Sequence, residues 1–293
     1  MKELDASTRR KFLRALTVLG GAGFVSLLTG ILRAGETPPD PSTTPPVDPH
    51  SQIKRGSETI LILIYPGFTA IDAIGPEYIL SGMMGATVQF IAKSKDPIKC
   101  ETGFEVIPEL TFAQCPESPT LFLVPGGTAG ILEALEDKET MEFIPKVGRE
   151  SELVGSVCTG SLLLGAAGLL DGYDATSHWQ TLDLLPLVGA KPTDKRVVFD
   201  RTRITAGGVT AGLDLALELV RHFRGDFYAK GMQLLAQYDP QPPFSGGGSP
   251  ATADPTVVGL LNEMHKPFVE LIGQKLKKSF QQFSPSEKSS ESR

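Results

Sequence analysis

Apolar residues in this chain collect in short unbroken runs, separated by stretches where they recur every three or four positions. That pattern predicts buried strands alternating with helices. Thr59-Ile-Leu-Ile-Leu-Ile64 is apolar without alternation, as in a strand covered on both faces. Residues 87–92, 120–124 and 153–157 read as further strands. The intervening periodicity predicts helices over 71–82, 130–135 and 138–151, and one from Thr159-Gly160 to about Gly168. Residues 98–111 read as short antiparallel strands around Thr102-Gly103, and 179–185 as a short helix. Residues 197–199 and 203–205 pair as a hairpin around Asp200-Arg201, followed by helices over 209–223 and 227–237. Strands alternating with helices predict an α/β fold: a doubly wound, mostly parallel sheet flanked by helices.

In such sheets ligands sit at the carboxyl ends of the strands. Three predicted loops lie there: 65–72, 125–128 and 158–160. Cys158 ends a buried strand and stands directly before a helix built of small and apolar residues. A nucleophile on a strand-to-helix turn needs small neighbours, and Ser156 and Gly160 are small, so the stretch reads as a nucleophile elbow. The unpaired N–H groups of the helix start are expected to lower the thiol pKa. A packed core cysteine gives the same local pattern. Asp72 falls in the first turn of the helix after the first strand, favourable through the helix dipole alone. Beside Cys158 it can also share a proton with the thiol as general acid and base. Gly126 and Gly127 either make a turn or let backbone N–H groups approach a substrate, and Gly160 belongs to the same candidate binding set. His178, in Ala175-Thr-Ser-His-Trp179, returns to this sheet edge; a lone histidine packs or caps as readily as it acts as a base.

The ends of the chain follow other patterns. Thr8-Arg9-Arg10-Lys11-Phe12-Leu13-Arg14 precedes an apolar run over 15–32 interrupted by four glycines. Residues 1–35 therefore read as a twin-arginine export signal, with an N-terminal membrane anchor as the alternative. No Ala-x-Ala site follows, since Leu32-Arg33-Ala34 is bulky where a small residue is wanted, so a retained tether is compatible with the sequence. Residues 36–57 form a Pro/Thr-rich linker, 58–245 the folded domain, and 246–293 a C-terminal helix with a disordered polar tail from Ser279. A net charge of −6 gives the domain no reason to bind nucleic acid. Cys100 and Cys115 flank the expected hairpin and are candidates for pairing in an oxidising compartment, which leaves Cys158 as the odd thiol. His50, His178, His222 and His265 are scattered without metal-site spacing, and no dinucleotide fingerprint is present, so no metal or cofactor is expected.

Six motifs occur in one order: Tyr65-Pro-Gly-Phe-Thr-Ala-Ile-Asp-Ala-Ile-Gly-Pro76, Val124-Pro-Gly-Gly127, Val157-Cys-Thr-Gly160, Ala175-Thr-Ser-His-Trp179, Ile204-Thr-Ala-Gly-Gly208 and Gln237-Tyr-Asp-Pro-Gln-Pro-Pro-Phe244. Together they resemble the ThiJ/PfpI family of class I glutamine amidotransferase-like proteins, which implies a flavodoxin-like sandwich, and within it the isonitrile hydratase-like branch. The family's Gly-Pro-x-Glu reads Gly75-Pro76-Glu77-Tyr78 here, with the glutamate shifted by one. The resemblance implies a cofactor-free lyase with Cys158 as nucleophile, Asp72 as acid–base carboxylate and Thr159 as an accessory group. It also implies a small-molecule substrate, hydrated through a covalent Cys158 adduct, and a homodimer. Combined with the leader, the expected location is periplasmic, with membrane contact only through an uncleaved N-terminus. The competing reading is a non-catalytic module that binds a ligand or responds to oxidation at Cys158. A regulator's sensory half is disfavoured, because no helix-turn-helix pattern follows Asp239.

Overall fold

The computed structural model describes residues 49–283. The expected export signal over 1–35, the expected linker as far as residue 48 and the expected tail beyond residue 283 lie outside the described residues. Strand β1 (Thr59–Leu63) leads into helix α1 (Ala70–Leu80), then β2 (Thr87–Ala92), the hairpin β3 (Ile98–Lys99) and β4 (Glu105–Val106), and β5 (Leu110–Thr111). Next come β6 (Leu121–Val124), α2 (Ala129–Glu136), α3 (Lys138–Glu150), β7 (Leu153–Val157) and α4 (Gly160–Ala166). The second half holds β8 (Asp174–Ala175), a 3-10 helix (Leu182–Val188), β9 (Lys191–Pro192), β10 (Val197–Asp200) and β11 (Arg203–Ala206). Helices α5 (Ala211–Arg224), α6 (Asp226–Leu235) and α7 (Pro255–Phe283) complete it.

The main sheet has the order β10-β11-β7-β6-β1-β2-β5 and is parallel except for the β10–β11 hairpin. This is the α/β class expected from the alternation of runs. Every residue of β6 and β7 is buried, and so is β1 after its first residue, because helices cover both faces. Helix α1 packs on α5 and α5 on α6, while α2, α3, α4 and α7 form the other helical group. Helix α3 starts where the Asp137 side chain accepts the Thr140 N–H, a cap for its first turn.

Two local expectations need correction. Residues 98–106 form the antiparallel hairpin as expected, but β5 does not extend it; β5 pairs parallel with β2, Ile91 opposite Leu110. The C-terminal helix continues past Lys278 to Phe283, where a disordered tail was expected from Ser279. Ile272, Leu276 and Ser279 are buried, and Phe280 and Phe283 pack on the core, so the inward stripe runs on at helical spacing.

The start of β1 is tied to the end of α5 by a paired Glu58–Arg224 contact made through both guanidinium NH groups. The side chains are 12% and 3% exposed, so neither charge is well solvated. Removing one partner leaves the other buried and unpaired. Arg224→Met is expected to lower unfolding free energy by about 3 kcal/mol in urea titrations. Arg224 holds the Glu58 carboxyl below its ordinary 4.5, so this contribution is full above that value and fades as pH falls through the lowered pKa. A loss below about 0.5 kcal/mol, the scale of a surface pair, would show that the contact is solvated.

Candidate active site

The carboxyl ends of β1, β6 and β7 deliver the three expected loops to one place. An isolated antiparallel bridge joins Phe68 to Gly127, and the Thr69 N–H donates to the Gly126 carbonyl at 2.8 Å, so the first two loops are laced together. The third loop is fitted beneath them. A Cβ on Gly160 would fall 2.2 Å from the Val124 carbonyl oxygen, and one on Gly126 would fall 2.7 Å from the Thr159 nitrogen. Gly160 is thus required by the close approach of α4 to β6. It is buried, and it is not among the residues that line the cleft.

Cys158 lies between β7 and α4 in the left-handed region, with φ 59°. A residue with a Cβ pays roughly 1–3 kcal/mol for that conformation and keeps it only when its surroundings hold it. Here the Cys158 N–H lies 3.0 and 2.9 Å from the Ala206 and Gly207 carbonyls, and its own carbonyl accepts from the Ser161 and Ser177 hydroxyls. The Cys158 thiol sits beside Asp72, whose carboxyl is fully buried. Asp72 Oδ2 accepts the Gly126 N–H at 2.9 Å, while Oδ1 has no hydrogen-bond partner.

Burial is the main cause of the electrostatics. It pushes the Asp72 carboxyl up to about 8, against the Gly126 hydrogen bond that favours the ionised form. Burial and the Asp72 charge likewise push the Cys158 thiol well above its ordinary value, although the Thr159 N–H and hydroxyl favour the thiolate. The expectation of a lowered thiol pKa is therefore overturned. Helix α4 spans only seven residues, and a cysteine 6% exposed beside a carboxyl loses more through desolvation than that helix start returns. Tyr65, buried beside the pair with its hydroxyl donating to the Pro125 carbonyl at 2.9 Å, is held protonated for the same reason.

Gly126 and Gly127 differ from the expected open N–H pair. The Gly126 N–H is taken by Asp72 and the Gly127 N–H by Thr159 Oγ1 at 3.0 Å. Thr159 Oγ1 in turn donates to the Gly127 carbonyl at 3.0 Å, so Thr159 locks the glycine loop as well as flanking the thiol. Both glycine N–H groups are spent on positioning these two side chains.

A cleft of about 250 Å³ opens over Cys158 and Thr159. His178 lines it, and its Nδ1 accepts the Gln180 N–H at 3.4 Å, which assigns the ring proton to Nε2. Burial lowers the His178 pKa, so the ring is neutral at neutral pH. Sequence reasoning missed Glu101, on the β3–β4 hairpin, and Leu261, His265, Phe268 and Val269, on α7. The C-terminal helix was expected, but nothing in its sequence told which surface it covers. Cys100 and Cys115 are unpaired thiols. Among the described residues no group of three or more His, Cys, Asp or Glu side chains is placed to hold a metal, and no helix is long and apolar enough to cross a membrane.

Comparison with known proteins gives the same picture as the motifs. Residues 58–222 match the model of the DJ-1/PfpI family. The chain is 41% identical over 209 residues to isonitrile hydratase of Pseudomonas putida, covering 71% of this chain and 90% of that protein. The crystal structure of a ThiJ/PfpI family protein from Pseudomonas syringae matches with a TM-score of 0.76 at 43% identity, over 80% of this chain and 98% of that one. The HTH-type transcriptional regulator GbdR of Pseudomonas aeruginosa is 28% identical over 179 residues, which are 58% of this chain and 48% of the regulator. The chain belongs to the DJ-1/PfpI family.

Proposed function

We propose that this protein is a cysteine-dependent isonitrile hydratase that needs no cofactor and converts an isonitrile and water to an N-substituted formamide. The observation that carries the reading is a fully buried Asp72 whose Oδ1 has no hydrogen-bond partner, set beside a strained Cys158 that lines a small cleft; burial pushes the Asp72 carboxyl up to about 8, which favours its protonated form at neutral pH. The likeness to isonitrile hydratase supports the choice of substrate. In the first step the Cys158 sulfur bonds to the terminal carbon of R–N≡C. The Asp72 carboxyl gives that carbon its proton, and the thiol proton passes to the other carboxyl oxygen. The product is a thioimidate, R–N=CH–S–Cys158. Water then adds its oxygen to the carbon and one proton goes to nitrogen, with the neutral His178 Nε2–H as hydrogen-bond donor in the cleft wall. The C–S bond breaks, the hydroxyl proton returns to sulfur through Asp72, and R–NH–CHO leaves. Each group ends in its starting protonation state.

Such a pair has a clear advantage in a dry site. A preformed thiolate beside an ionised carboxylate would be two buried like charges. A neutral thiol and a neutral acid react without that cost, because the proton moves as the bond forms. We further propose that the protein works outside the cytoplasm, following its paired-arginine leader, and acts as a homodimer.

Cys158→Ala is expected to abolish formamide production from cyclohexyl isonitrile, measured by chromatography. Asp72→Asn retains an acceptor for the Gly126 N–H and is expected to lower kcat by about 10²–10⁴-fold. Full turnover by either variant rules out the mechanism. Because Asp72 is needed protonated and its pKa is raised to about 8, kcat/KM is expected to be level at neutral pH and to fall as pH rises through about 8. A rate that instead climbs through that range, as for a simple thiolate nucleophile, contradicts the role given to Asp72.

A further inference from the structure

The cleft over Cys158 has two chemically opposite walls. One carries the Glu101 carboxylate, brought in by the β3–β4 hairpin and held by the Thr128 hydroxyl, which donates to Oε2 at 2.9 Å. The Glu101 N–H donates to the Phe68 carbonyl at 3.0 Å, so the hairpin is fastened to the same loop that precedes Asp72. The other wall is apolar and comes from α7, with Leu261, Phe268 and Val269 facing the cleft. Helix α7 is fixed there by Gln180, whose amide reaches the Leu261 carbonyl at 3.0 Å and His265 Nδ1 at 3.2 Å. No lysine or arginine lines the cleft among the described residues, and His178 is kept neutral by burial. An anion entering this space therefore meets one fixed carboxylate and no lysine or arginine to offset it. The Glu101 charge is felt at the floor, since it helps push up the Asp72 and Cys158 pKa values.

We infer that α7 and Glu101 together select the N-substituent of the substrate. An uncharged apolar group lies against Leu261, Phe268 and Val269, and a carboxylate-bearing group is turned away by Glu101. The inference rests on the isonitrile reading for the reacting end, while the walls act on whatever the substituent is. Apolar side chains on one wall favour a larger hydrocarbon group, because each methylene removed from water adds to binding. Glu101 is solvent-exposed, so its repulsion is screened and its effect is modest.

The test compares methyl isonitrile, cyclohexyl isonitrile and isocyanoacetate with wild type, Phe268→Ala and Glu101→Gln. Phe268→Ala is expected to reduce the cyclohexyl-to-methyl ratio of kcat/KM roughly tenfold, mainly through KM. Glu101→Gln is expected to raise the isocyanoacetate-to-methyl ratio roughly fivefold. Ratios within each variant cancel any loss of folded protein, and ratios that match wild type in both variants overturn the inference. If no isonitrile is turned over, the proposed reaction has failed and the walls are read without it. Cys158 is then alkylated with iodoacetamide or iodoacetate, and the Cys158 peptide is quantified by mass spectrometry. The preference for the neutral reagent is expected to shrink roughly fivefold in Glu101→Gln. An unchanged preference overturns the selection by Glu101.

Discussion

The hydrogen bond from the Gly126 N–H to Asp72 Oδ2, at 2.9 Å, joins the loop after β6 to the first turn of α1 and buries a carboxyl at the meeting point. One backbone donor is too little to keep a fully buried carboxylate ionised, so the group holds its proton up to about pH 8. The other oxygen is left without a partner, which is costly in a folded interior and is common where chemistry takes place. The thiol beside it is governed by the same lack of solvent. Burial of both members favours the neutral pair, and in the proposed reaction its reactivity lies in moving a proton, with no standing thiolate.

Holding that pair requires the surrounding chain to accept strain and close contact. Cys158 keeps a left-handed backbone because its N–H and carbonyl are both gripped, by the end of β11 and by the Ser161 and Ser177 hydroxyls. The glycine loop keeps its shape because Thr159 Oγ1 both accepts from and donates to Gly127. These contacts make Thr159 a structural partner of the glycine loop as much as a neighbour of the sulfur. The cleft above is then completed by elements distant in sequence, a hairpin bearing Glu101 and the C-terminal helix.

The strand runs at 59–64, 120–124 and 153–157 made the parallel sheet legible, because both-faces burial forces unbroken apolar sequence. Cys158 could be singled out from its place at a strand end, Asp72 from the helix turn that follows one, and Thr159 only through the family resemblance; the structure brings the three together. The sign of the thiol shift was not, since a helix start is visible in sequence and the degree of burial is not. The use of the Gly126 and Gly127 N–H groups was hidden for a similar reason: Gly-Gly signals room for close approach but not which atom approaches. Leu261, Phe268 and Glu101 escaped because α7 and the β3–β4 hairpin reach the cleft by tertiary packing alone. β5 was misread because two residues carry too little pattern to tell a parallel partner from an antiparallel one.

The claim that supports the rest is that Asp72 is a neutral acid at working pH. It is tested most directly by following the Asp72 side-chain carboxyl through a pH titration, using a carbon-13 label and the Asp72→Asn variant to assign the signal. A buried, neutral Asp72 gives a midpoint near 8. A midpoint near the ordinary 3.8 would mean that Asp72 is a carboxylate throughout, and would contradict it.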